Sequence, residues 1–279
     1  MKKILLIILI IMNVSFIIIN SQINKININK DLPIYNKYSK NIKHNFVSLT
    51  SDNTIASGQD LLNIFYTSLN SGLNSFSFSC KDNYDCLNDI IKTLNNKTQL
   101  YIINNLVSPY NSYKDYYLSY QDNKYVITFN KIYNKNEINY LESQIDLLIN
   151  YLITKEMTNE EKLIIIHDYL INNISYDQKE VDNYKATAAL LKGKAICTGY
   201  ADVLAIILDK LNIPNYRIIS SSHVWNIVYI NNKWLHIDLT YDDPIKSNSL
   251  VSYNYFLVDS SYLTDQEHIF NKSIYAELF

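Results

Sequence analysis

The sequence predicts an α+β fold in which a helix with a cysteine in its first turn packs on an antiparallel sheet, preceded by a smaller α+β unit. Three observations predict it. From Cys197 an apolar stripe continues through Ala201, Leu204, Leu208 and Leu211 at steps of four and three, the period of a helix lying on a core. Asn231-Asn232 separates two alternating runs, 223–230 and 233–240, as the turn of a two-residue hairpin does. Upstream, Asp122-Asn123 stands in the same way between 113–121 and 124–132, and a helical pattern over 137–153 closes that region.

Taken in order, Met1-Lys2-Lys3 and the apolar run 4–19, broken only by Asn13 and Ser15, have the charged and apolar regions of an export signal. No small-x-small cleavage site stands near Asn20-Ser21-Gln22, so residues 1–22 read either as a cleaved signal peptide or as an N-terminal membrane anchor. In both cases the protein is expected outside the cytoplasm, secreted or held to the membrane through residues 4–19. Residues 23–45, polar and without apolar periodicity, are expected to be a linker. The small unit, 46–153, carries a helix over 60–69, a Ser/Phe alternation ending at Cys80, a helix over 84–94, the first hairpin and the helix 137–153. It holds no catalytic constellation and is read as a packing or substrate-shaping domain. The second unit, 154–279, opens on the capping box Thr158-Asn159-Glu160-Glu161. Its first helix runs to about 173, with Leu163, Ile166, Leu170 and Ile171 on the buried side and His167, read as structural, beside them.

Composition narrows the function. The 279 residues carry a net charge of -2 and are 48% hydrophobic, which excludes a disordered tail. Acids outnumber bases, and Arg217 is the sole arginine, so no basic face for nucleic acid is expected. No P-loop, GxGxxG, CxxC or HExxH is present, so neither a cofactor nor a metal is expected. Of three cysteines, Cys80 and Cys86 are close enough for a small loop, which leaves Cys197 over.

Gly193 and Gly199, two of only four glycines, bracket Cys197. Scarce glycine marks backbone that bends or approaches closely. In the first turn of a helix, unpaired N–H groups and the helix dipole favour a thiolate, the form a nucleophile needs. In the hairpin, Ile230 opposite Lys233 sets Trp225 opposite Asp238 and His223 opposite Thr240, all four on one face. His223 and Asp238 are then diagonal neighbours, ~7–8 Å apart at the backbone, within reach of a hydrogen bond between side chains. The other face, Val224, Val228, Ile230, Leu235, Ile237 and Leu239 with Asn226 as the exception, is expected to be the buried back of the sheet. Cysteine, histidine and aspartate so arranged make a nucleophile, a base and an orienting carboxylate. His236, opposite Ile227, is the rival base.

These stretches resemble a transglutaminase-like domain of the papain-related thiol superfamily, of the bacterial exported type. The resemblance rests on residues 190–201 around Cys197, on His223-Val224-Trp225-Asn226, and on Trp234 through Pro244, with Tyr176-Asp177 upstream and Tyr255-Phe256-Leu257 through His268 downstream. Tyr241 stands where bacterial members commonly have tryptophan. The resemblance implies Cys197 as nucleophile, His223 as general base and then acid, and Asp238 as orienting carboxylate. An amide carbonyl would be attacked, with the oxyanion near the Cys197 backbone N–H and a second donor unassigned. Tyr200, Trp225 and Tyr176 are candidate substrate-binding walls. Asp242 and Asp243 suit a turn or helix cap better than calcium. The expected function is thiol-dependent hydrolysis or acyl transfer on a peptide or protein substrate at the cell wall or surface, as protease or transglutaminase-like enzyme. A catalytically silent binding or scaffold module is the alternative.

Overall fold

A computed structural model describes residue 49, residues 53–243 and 252–272, and residue 275. The expected export segment and linker lie outside the described residues. Among the described residues no helix is long and apolar enough to cross a membrane.

Among the described residues the fold is α+β, with two four-stranded sheets. The first contains β1 (Thr54–Ile55), β2 (Ser75–Cys80), β3 (Tyr113–Gln121) and β4 (Lys124–Lys131) in the order β1-β2-β4-β3. Asp122 and Asn123 turn the β3–β4 hairpin with φ of 49° and 60°, the left-handed pair such a turn requires. Helix α1 (Gly58–Asn70) begins at Ser57, whose side chain accepts from the Asp60 N–H. Its Phe65 meets Phe76, Tyr113, Tyr116 and Phe129 edge-on at 4.9–6.1 Å, the arrangement aromatic quadrupoles prefer. A Cys80–Cys86 disulfide ties the end of β2 to helix α2 (Cys86–Asn95). Helix α3 (Lys97–Leu106) follows after Asn96 alone, whose side chain caps it by accepting from the Gln99 N–H. The sequence reading has no α3, because its polar residues dilute the apolar period. Yet Asn104 is buried and bonds both N–H and C=O of Tyr113.

Helix α4 (Lys135–Leu152) and helix α5 (Asn159–Asn173) both open on complete capping boxes, the second being the expected Thr158 and Glu161 pair. The short parallel pair β5 (Ser175–Tyr176) and β6 (Lys194–Ala195) leads into helix α6 (Cys197–Lys210). The second sheet contains β7 (Asn215–Ile219), β8 (Val224–Ile230), β9 (Lys233–Ile237) and β10 (Phe256–Val258), ordered β10-β9-β8-β7. Ile230 pairs with Lys233 and Asn226 with Ile237, the expected register.

Three expectations are corrected. Strand β9 stops at Ile237, and Asp238 caps a short helix α7 (Leu239–Asp242), so Thr240 belongs to that helix and not to a strand opposite His223. Val224, expected on one buried back with Val228, Ile230 and Ile237, joins Trp225 and Ile227 in the aromatic core of the first sheet, while Val228, Ile230 and Ile237 pack with α6. Asn226, the polar exception on the α6 side, donates to the Ala201 carbonyl of that helix at 3.0 Å. For the same reason α6 is buried all round from Gly199 to Leu208, and not along one stripe.

Arg217, in the middle of β7 and buried, joins the two parts. Its guanidinium donates to Asp202 on α6, and also to the Asn104 carbonyl at 2.9 Å, the Val107 carbonyl at 2.7 Å and Ser112 Oγ at 3.3 Å. Asp202 accepts in addition from the Tyr133 hydroxyl at 2.9 Å, which itself accepts from the Ala186 N–H. A planar fork that serves several acceptors at once is what arginine offers and lysine does not.

Candidate active site

Both glycines beside Cys197 are required by geometry. Gly193 has φ 65°, and a Cβ there would lie 2.7 Å from the Asn173 carbonyl oxygen. At Gly199 a Cβ would lie 2.6 Å from the Asn183 carbonyl oxygen and 2.9 Å from Ala195 Cβ, so the preceding loop lies flush on the first turn of α6. Cys197 is the first residue of that helix, half-buried and outside the disulfide. The N-cap is Ile196, which offers no side-chain acceptor, so the positive helix end faces the thiol.

His223 sits just before β8, its N–H donated to Ser220 Oγ at 3.0 Å and its ring stacked on Trp225 at 5.8 Å. Nε2 lies 2.5 Å from Asp238 Oδ2, and Cys197 is near enough for its side chain to favour the charged form of the ring. Burial works against the imidazolium, but the bond to Asp238 and the nearby Cys197 side chain outweigh it and lift the pKa to about 10. Asp238 is 2% exposed, and its Oδ1 accepts from the N–H groups of Thr240 and Tyr241 at 2.9 and 3.3 Å. Burial would raise its pKa, yet the bonds from His223 and His268 hold it below the ordinary carboxylate range.

His268 is the residue that sequence reasoning missed. Its Nε2 lies 2.8 Å from Asp238 Oδ2, the oxygen His223 uses. A local signal existed: Asp265 caps the single turn Gln266–His268, an aspartate and a histidine three apart. His223, Asp238 and His268 bring potential ligand atoms within 4.8 Å of one another. Those contacts are hydrogen bonds between imidazole and carboxylate.

The rival base is otherwise engaged. His236 is 1% exposed; its Nδ1 accepts from Trp225 Nε1 at 2.9 Å, Nε2 pairs with Ser260 Oγ at 2.8 Å, and burial pulls its pKa down to about 3. Of the expected walls, Tyr200 and Trp225 are each 1% exposed and offer a substrate no surface. Tyr200 donates to Asp243 Oδ2 at 2.5 Å, and Trp225 stacks on His223, so both act as braces. Tyr176 is half-buried beside them, its N–H bonded to Asp243 at 3.2 Å. Asp242 is wholly buried and accepts from Ser252 Oγ and the Tyr255 N–H, while its Oδ2 pairs with His167 Nε2 at 3.2 Å. Both aspartates thus hold the segments around the site together. Tyr241 lies edge-on to His223 at 5.3 Å and to His268 at 4.8 Å. From the first unit, Tyr101 of α3, 41% exposed, lies within electrostatic range of Cys197. No motif marks it in the sequence.

The model of the transglutaminase-like superfamily matches residues 148–239, which include Cys197, His223 and Asp238 and stop short of His268. No curated protein matches significantly. Among solved structures, a TGase is 18% identical with a TM-score of 0.36, over 64% of this chain and 53% of that one. A candidate cysteine protease from Cytophaga hutchinsonii is 14% identical at 0.31, over 47% and 63%. The periplasmic domain of TgpA from Pseudomonas aeruginosa, bound to ethylmercury, is 13% identical at 0.31, over 42% and 55%. The chain therefore spans less than two thirds of each.

Proposed function

We propose, from the match of residues 148–239 to the transglutaminase-like superfamily, that the chain is an extracytoplasmic cysteine-dependent enzyme that hydrolyses or transfers peptide or protein amides. Cys197 attacks the amide carbonyl carbon as a thiolate, and the carbonyl oxygen becomes an oxyanion beside the Cys197 N–H at the helix start. His223 gives its proton to the leaving amine as the C–N bond breaks, which leaves a thioester on Cys197. A water or a second amine, deprotonated by His223, then attacks the thioester and frees the thiol. Asp238 keeps the imidazole in one tautomer and one orientation throughout. Every group required is a side chain or backbone N–H, so the reaction calls for no cofactor.

The observation that carries this reading is one imidazole with two neighbours: His223 has Nε2 2.5 Å from Asp238 Oδ2, and Asp238 and Cys197 both favour its charged form. Placement outside the cytoplasm is supported by the Cys80–Cys86 disulfide, since such bonds persist in oxidising compartments. Half-buried Tyr176 and, from the first unit, Tyr101 are the proposed walls for a peptide substrate.

Because Cys80 and Cys86 are bonded, iodoacetamide reports on Cys197 alone under non-reducing conditions. Intact-mass measurement of the full chain at graded pH should show fast alkylation below neutral pH that slows in His223→Ala and vanishes in Cys197→Ala. Peptide-amide hydrolysis and amine incorporation are then assayed side by side, and both should require Cys197. Slow alkylation that is indifferent to His223 would overturn the enzyme and favour a silent binding module.

A further inference from the structure

Two imidazoles compete for one oxygen. Asp238 Oδ2 lies 2.5 Å from His223 Nε2 and 2.8 Å from His268 Nε2, while His268 Nδ1 lies 2.8 and 2.7 Å from the two oxygens of Asp265. A carboxylate has no proton to donate, and a neutral imidazole has only one N–H. To bond Asp238 through one nitrogen and Asp265 through the other, His268 must carry both protons. It is therefore a fixed cation facing Asp238. Its ring is 1% exposed, stacked on Tyr255 at 5.1 Å and edge-on to Trp225 at 4.9 Å, so it has little room to turn. The hydrogen bonds to Asp238 and Asp265 raise its pKa against the effect of burial, in keeping with that charge.

We propose that His268 is a positioning residue for the thiol site: held as an imidazolium by Asp265, it pins the Asp238 carboxylate and shares its charge, so that His223 releases its proton more readily. This rests on the assignment of Cys197, His223 and Asp238 made above. An orienting carboxylate with its full charge on one imidazole would hold that proton firmly and hinder its transfer to a leaving amine. A second cation on the same oxygen divides the charge while keeping the geometry. The titratable groups around His268 are Asp238, Asp265, His223, Tyr241 and Tyr255, with Glu267 bonded to Tyr241 and His236 sensing its charge.

The test is the pH profile of Cys197 alkylation by iodoacetamide on the full chain, whose upper inflection marks proton loss from His223. Wild type, His268→Gln, Asp265→Asn and His223→Ala are compared, with thermal unfolding of each. Glutamine at 268 keeps a donor for Asp238 but removes the charge. It should move the upper inflection up by about 0.5–1 pH unit, the scale of removing one nearby charge. Asp265→Asn should move it the same way by less. If His268→Gln does not fold, the half-exposed Asp265 position carries the test. An inflection that stays in place while only the unfolding temperature falls would make His268 a structural residue and overturn the proposal. A His223→Ala profile identical to wild type would instead bring down the triad assignment.

Discussion

Replacing Arg217 by methionine keeps most of the apolar stem and removes the guanidinium from a site where it is 4% exposed. Asp202, 3% exposed, loses its cation, and the carbonyls of Asn104 and Val107 lose a charged donor. Breaking a buried ion pair from one side costs about 3–5 kcal/mol, because the charge left behind has nowhere to go. The cost should depend on pH. Burial already pushes the Asp202 carboxyl up while Arg217 opposes the rise, so losing Arg217 lifts it further above its unfolded value. A carboxyl whose pKa is higher folded than unfolded weakens the fold as pH rises through that interval. The penalty is therefore full at neutral pH and shrinks on acidification. Urea denaturation of wild type, Arg217→Met and Arg217→Met with Asp202→Asn, near neutral and at mildly acidic pH, reads this directly. The double variant should recover more than half of the loss, and Arg217→Lys, which reaches fewer acceptors, should fall between. A loss below about 1 kcal/mol, or one of equal size at both pH values, would falsify the account of Arg217 as a buried charge clamp.

Reducing the Cys80–Cys86 bond, which closes a loop of sequence separation 6, should cost about 2 kcal/mol of unfolding free energy, read in urea, by its effect on the unfolded chain; no change with dithiothreitol would contradict this. Gly199→Ala places a methyl against the Asn183 carbonyl, with an expected cost of about 1–3 kcal/mol and slower Cys197 alkylation. An unaltered variant would mean that the loop yields freely. His236, pulled to about 3 by burial, stays neutral in the fold where the unfolded chain takes up a proton. Stability from this source is complete above about pH 6.5 and lost as pH falls, by about 2–3 kcal/mol at pH 4.5. His236→Gln should flatten that acid limb, and an equally steep limb in the variant would remove His236 as its cause.

What was legible in the sequence was local. Paired glycines, an apolar period and an Asn-Asn turn brought Cys197, His223 and Asp238 into consideration, and the predicted pairing of Asn226 with Ile237 is the register found. What escaped depended on distant chain. Strand β7 is five residues with Arg217 at their centre, a charge that reads as surface until its acceptors on α3 are known. His268 meets Asp238 across 30 residues, through a return of the chain with no periodicity of its own. The second buried face of β8 was illegible for the same reason, since its cover comes from the first hundred or so residues. A hairpin with one apolar and one mixed face looks half-exposed until that cover is seen.

The matched stretch 148–239 and the cooperative unit are different objects. One continuous core holds Phe65, Phe76 and Phe129 of the early chain together with Ile218, Val224 and Trp225 of the second sheet. A fragment cut at the limits of the match would carry Cys197, His223 and Asp238 and still expose the whole flank of β7 and β8 to water, without the acceptors of Arg217. Such a piece should associate or precipitate, and a protease nick in the early half should silence the thiol as surely as damage beside it. For recombination or grafting, the smallest exchangeable part of this protein is accordingly larger than the part by which its relatives recognise it.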